Sequence, residues 1–136
     1  MVEIKIDYEG ELHCSAVHGP SGQGMTTDAP VDNCGRGASF SPTDLVATAL
    51  GSCIATTMAI VAGRKQIELQ GSRFAVRKIM SEDAPRRIAR LEVDAFIPLG
   101  ADHPERKLLE AAANGCPVTR SLHPDVEIVL TWQWHG

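Results

Sequence analysis

Two of the four cysteines in this 136-residue chain sit in settings that suit redox chemistry better than packing. Cys53 lies within a run from Leu45 to Gly63 that contains no charged residue. Cys116 opens the segment Cys-Pro-Val-Thr-Arg-Ser-Leu, in which Pro117 marks a helix start. At or beside that start, unpaired backbone N–H groups stabilise a thiolate. A buried thiol paired with a thiol at a helix N-terminus can cycle between dithiol and disulfide. Taken singly, each has a plainer reading: Cys53 as a small apolar core residue and Cys116 as a turn cysteine without chemistry. Cys14 and Cys34 lie in no Cys-x-x-Cys spacing, and neither they nor His13, His18 and His123 show zinc-ligand spacing, so no metal or cofactor is expected. Phosphate-binding glycine loops, a nucleophilic serine elbow and paired catalytic carboxylates are also absent from the sequence.

The elements that must position these thiols follow from the pattern. Val2, Ile4, Ile6 and Tyr8 alternate with Glu3, Lys5, Asp7 and Glu9. This predicts a half-buried strand that turns at Glu9-Gly10 into a second strand around Leu12 to Val17. Residues 19–40 are rich in Gly, Pro, Ser, Asn and Asp, with room for one short strand near Met25 to Thr27. So long a loop is functional or mobile in most compact domains. Ser41-Pro42-Thr43-Asp44 predicts a helix start: Ser41 as N-cap, Pro42 in the first helical position and Asp44 closing a capping box. The helix is expected to run to about Gly63, where Gly-Arg-Lys supplies the stop. Strands are predicted around 68–80 and 87–97, a second helix from about Asp102, a short helix after Cys116, and a last strand with Val126, Ile128, Leu130, Trp132 and Trp134 on one face. No repeat or linker divides the chain, so residues 1–136 read as a single domain.

Composition narrows the class. Hydrophobic residues at 43% and charged residues at 22% are ordinary for a globular protein. A net charge of −4 argues against nucleic acid, whose phosphates need a basic face. Leu45–Gly63 approaches the length of a membrane span, but Thr48, Gly51, Ser52, Thr56 and Thr57 dilute it, and a buried central helix is expected instead. With few cysteines and no apolar leader, the expected compartment is the cytoplasm, where a disulfide is transient and functional.

On the central helix, Val46, Leu50, Cys53, Ile54, Thr57, Ile60 and Val61 fall on one broad stripe at 100° per residue. Ala47, Gly51, Ala55 and Ala59 form a second stripe of small residues that lets another backbone approach. One stripe is expected to pack on the sheet and the other on a second long helix. The chain has no other helix of that length, so a second copy is the expected partner.

The Ser-Pro-Thr-Asp-Leu…Gly-Ser-Cys run and the later Cys-Pro-Val-Thr segment together resemble the OsmC/Ohr family of osmotically inducible proteins and organic hydroperoxide reductases. The resemblance covers nearly the whole chain. It implies an α+β fold, with an antiparallel or mixed sheet packed on a long central helix in an intertwined homodimer. It also implies a thiol peroxidase of the oxidative-stress response. Cys53 would be the peroxidatic thiolate, Cys116 the resolving thiol, an organic hydroperoxide the substrate and a dithiol the reductant.

The family's activating pair is not reproduced. Its peroxidase members place an arginine on the first hairpin and a glutamate just after the proline that opens the central helix. Here the first hairpin has no arginine, and the glutamate position is held by Thr43, with Asp44 next. Ten residues leave Thr43 about 80° around the helix from Cys53, whereas nine leave Asp44 about 180° away. An unactivated thiol has a pKa of about 8.5 and is a poor nucleophile at neutral pH. Arg36, just before the helix, and Arg120, four residues beyond Cys116, are the candidate replacement cations. Without activation, the same scaffold would serve as a non-catalytic redox sensor or a binder of small apolar ligands.

Overall fold

A computed structural model describes all residues, Met1–Gly136. It contains β1 (Ile4–Gly10), β2 (His13–His18), β3 (Gly24–Asp28), a 3₁₀ turn (Val31–Asn33) and α1 (Pro42–Arg64). These are followed by β4 (Arg73–Met80), β5 (Ile88–Ile97), α2 (Arg106–Asn114), α3 (Pro117–Ser121) and β6 (Glu127–Trp134). The class is α+β, as expected. The chain forms two compact units, Met1–Val46 and Ala47–Gly136.

In the first unit, β1, β2 and β3 form an antiparallel sheet in that order. The first hairpin turns at Glu11-Leu12, two residues later than expected, and both residues have positive φ. That is the backbone signature of the primed turns whose twist matches paired strands. β1 is not half-buried. Its apolar residues Ile4, Ile6 and Tyr8 are 54%, 62% and 66% exposed. The register sets Ala16 opposite Ile6 and Met25 opposite Ala16, so the apolar face crosses all three strands.

The segment after β3 is tied down through the buried Asp28. Its carboxylate takes a short hydrogen bond from His13 Nδ1 (2.5 Å) and accepts the Ala38 N–H at 3.0 Å. Asp28 also donates its own N–H to the Phe40 carbonyl. Gly35 permits the fold of this loop, since a Cβ there would lie 1.7 Å from the Ala29 carbonyl oxygen. At its end the predicted capping box is present: Asp44 N–H donates to Ser41 Oγ at 3.1 Å, and Ser41 N–H donates to the Asp44 carboxylate at 2.9 Å.

The second unit holds a three-stranded sheet in the order β4-β5-β6, with β4 antiparallel and β6 parallel to β5. Leu91, Val93, Ala95 and Ile97 of β5 are buried together with Leu50, Ile54, Met58 and Ala62 of α1. α1 is long and apolar enough to cross a membrane by length and composition. Leu50, Ile54 and Met58 are nevertheless completely buried, the pattern of a core helix. Its buried stripe combines the two stripes expected from sequence. Ala47 and Gly51 are buried beside Leu50 and Ile54, while Ala59 and Ile60 are exposed. Gly51 is the reason the helix can lie against β4, because a Cβ there would come within 2.8 Å of Val76 Cγ2. The helix ends at Arg64, within one residue of the expected stop. Gln66 takes the left-handed conformation, and the N–H groups of Gln66 and Ile67 close onto the carbonyls of Gly63 and Ala62. α2 begins four residues later than expected. Residues 100–106 close successive turns, with His103 N–H on the Gly100 carbonyl and Arg106 N–H on the His103 carbonyl. Pro104 disfavours helical backbone at His103.

Candidate functional site

Cys116 is the N-cap of α3, as the Cys-Pro pattern predicts. Its backbone is extended, Pro117 occupies the first turn, and its sulfur accepts the Thr119 N–H at 3.4 Å. The Thr119 hydroxyl lies 3.1 Å from the same sulfur. The thiol is completely buried. This reverses the expected arrangement, in which Cys53 is the buried member. Cys53 is only half-buried, so of the two residues it is the one that reaches solvent.

Cys53 projects from α1 toward α3, and its pKa lies below the ordinary thiol value. Burial is the largest single influence and pushes it up. Hydrogen bonds from the Val118 backbone N–H, the Cys116 thiol and the Thr57 hydroxyl together outweigh that effect. Val118 is in the first turn of α3, where a backbone N–H has no partner within the helix. Thr57 stands four residues after Cys53 on the same helical face, with 3.9 Å between its oxygen and the sulfur. The Cys116 thiol is therefore near enough to favour the charged form of Cys53. The charge on Cys53 is favoured by neutral donors rather than by a cation.

The four residues considered as activators are placed elsewhere or otherwise engaged. Arg36 directs its guanidinium to Glu11 at 3.4 Å and Asp28 at 3.9 Å. Arg120 is exposed in the last turn of α3 and does not figure among the influences on Cys53. Asp44 closes the capping box, and Thr43 Oγ1 lies 3.2 Å from Ser41 Oγ. The sequence reading missed Val118, Thr57 and Thr119 as the groups that contact sulfur. Two of them carried a signal: a threonine at i+4 from Cys53, and a threonine at the third residue after an N-cap cysteine. Cys14 is on β2 and Cys34 is exposed in the loop, and both are free thiols.

A groove of about 460 Å³ runs along the other end of α1, lined by Ala55, Thr56, Ala59 and the segment from Ile67 to Phe74. It includes neither Cys53 nor Cys116, so the reactive chemistry does not belong to it.

The sequence model of the OsmC-like protein family matches residues 35–131, a span that contains both thiols and α1. Among solved structures, the chain is similar to a candidate osmotic stress induced and detoxification response protein from Psychrobacter arcticus. The identity is 38% over 98% of this chain and 96% of that one, with a TM-score of 0.91. It shares its fold with an organic hydroperoxide resistance protein OsmC from Legionella pneumophila, at 18% identity, coverage of 98% and 96%, and a TM-score of 0.79. The same holds for an OsmC like protein from Mycoplasma pneumoniae, at 14% identity, coverage of 100% and 98%, and a TM-score of 0.82. A search of curated proteins gave no match.

Proposed function

The chain belongs to the OsmC-like protein family, and from that premise we propose that it is a cytoplasmic thiol peroxidase that reduces organic hydroperoxides in the response to peroxide stress. The observation that carries this reading is the proximity of the two thiols, with donors that hold the pKa of Cys53 down. The Legionella protein of the same fold is named for organic hydroperoxide resistance, which agrees with it.

The Cys53 thiolate attacks the terminal oxygen of ROOH, the O–O bond breaks, and the alcohol ROH leaves with a proton. Cys53 becomes a sulfenic acid. The Cys116 sulfur then attacks the Cys53 sulfur, water leaves, and a Cys53–Cys116 disulfide remains. A dithiol returns two electrons and two protons. The working unit is a homodimer. A second copy covers the face of Ile4, Ile6, Tyr8 and Met25, which one chain alone leaves in water.

The alternative is a non-catalytic redox sensor or a binder of small apolar ligands on the same scaffold. It draws support from the engagement of Arg36 and Asp44 in their own contacts. One measurement separates the two readings. Reduced protein is mixed with cumene hydroperoxide, peroxide loss is timed, and disulfides are mapped by mass spectrometry. Rapid loss with a Cys53–Cys116 bond, abolished by Cys53→Ser, is the expected outcome. Peroxide loss no faster than with a free thiol would rule out the enzyme.

A further inference from the structure

The two sulfurs differ in access and in what holds them, and this difference bears on how the disulfide is reduced again. This step rests on the peroxidase reading only for the origin of the disulfide. In thiol–disulfide exchange the incoming sulfur approaches one sulfur while the other departs as a thiolate, and a better-stabilised leaving thiolate departs faster. The Cys116 sulfur is completely buried, whereas Cys53 is half-buried. Two groups of one residue also stand against the Cys116 sulfur: the Thr119 N–H, which donates at 3.4 Å, and its hydroxyl at 3.1 Å, which can donate to a thiolate there.

We propose that Thr119 is a positioning residue of the reductive half-reaction: a dithiol reductant attacks Cys53, and Thr119 receives Cys116 as the departing thiolate. The reductant thiolate RS⁻ forms a bond to Cys53 Sγ, the Cys53–Cys116 bond breaks, and its electron pair goes to Cys116 Sγ. The Thr119 hydroxyl turns its proton toward that sulfur, which is then protonated from solvent. The second thiolate of the reductant attacks its own sulfur in the mixed disulfide. Cys53 leaves as the thiolate, and the reductant departs as a cyclic disulfide with two electrons fewer. The Thr119 N–H is fixed by the backbone of α3, so the hydroxyl is the part of this cradle that mutation can remove.

The test uses full-length protein oxidised with diamide, so that it does not depend on any reaction with hydroperoxide. Wild-type disulfide is mixed with 2-mercaptoethanol, and the freed thiol is trapped at once with N-ethylmaleimide. Peptide mapping should find mercaptoethanol on Cys53 and maleimide on Cys116; the reverse labelling overturns the proposal, as does failure of diamide to link the two cysteines. Thr119→Val should slow reduction by dithiothreitol about tenfold, the size expected for one hydrogen bond to a charged sulfur. It should slow oxidation of the reduced protein distinctly less, and Thr119→Ser should restore most of the rate. Equal slowing of both half-reactions, or no recovery in the serine variant, would reduce Thr119 to a packing role. If hydroperoxide is not consumed while the labelling falls as expected, the peroxidase reading fails and this inference stands.

Discussion

In β5, Leu91, Val93, Ala95 and Ile97 alternate with Glu92, Asp94 and Phe96 and are buried. In β1, Ile4, Ile6 and Tyr8 alternate just as regularly and are exposed. Alternation sorts side chains onto two faces of a strand, and it does no more than that. Burial requires an opposing layer. The β4–β5–β6 sheet has α1, drawn close by the missing side chain at Gly51. The β1–β2–β3 sheet leaves Ile4, Ile6 and Tyr8 exposed, and its order rests on its ladder and on polar ties to Asp28. The first sheet shows an apolar face left exposed, and the second shows one already covered.

The same substitution on the two faces is the most direct test of that contrast. Val93→Asp buries a carboxylate without a counter-charge, at a cost of several kcal/mol. No cooperative thermal transition is expected by calorimetry. A Val93→Asp protein with near-native melting would break the comparison at its buried end.

A smaller effect is expected at Asp28, which anchors the first unit. The hydrogen bond from His13 holds its carboxyl below the usual carboxylate range. Burial opposes this, while the Ala38 N–H and the charges of His13 and Arg36 add to the lowering. A carboxyl with a depressed folded-state pKa contributes stability above its unfolded value of about 3.9. That contribution is lost as pH falls through the folded value, so the loss develops below about pH 4. Urea midpoints at pH 7 and pH 3 should therefore differ more for wild type than for Asp28→Asn. Equal differences would show that this carboxylate does not tie the loop.

The smallest intrinsic effect belongs to Ile6→Asp. Its side chain is already in water, so the melting of a single chain should move by less than about 0.5 kcal/mol. The proposed dimer should nonetheless dissociate, read as the monomer mass in sedimentation. If the variant keeps the mass of wild type, the face of β1 is not what joins two copies.

Much of the fold is legible in the sequence because its signals are local. Ser41 through Asp44 form the predicted cap, Cys116 and Pro117 open α3, and the alternation in β5 marks its buried face. The misses have physical causes as well. The end of α1 near Gly63 was legible, but the left-handed residue that closes it is Gln66 rather than a glycine, because the Schellman closure tolerates a non-glycine residue there. α2 waits for the turns around Pro104. At the site, both thiols were evident as residue types at particular positions, and so was the absence of the family's arginine and glutamate. The replacement was only partly evident: the Thr57 hydroxyl has an i+4 spacing from Cys53, but the Val118 backbone N–H from α3 has no residue-type signature.

The sequence by itself determined the elements, the helix caps and the identity of the two thiols, since each depends on neighbours within a few residues. Only the tertiary structure decided which thiol is accessible and why Cys53 is acidic. Those properties depend on α3 meeting α1, and groups some sixty residues apart set the local field at the sulfur. The same holds for the two apolar sheet faces. A strand's pattern shows which side seeks cover, but only the packed chain shows whether that cover is supplied from within.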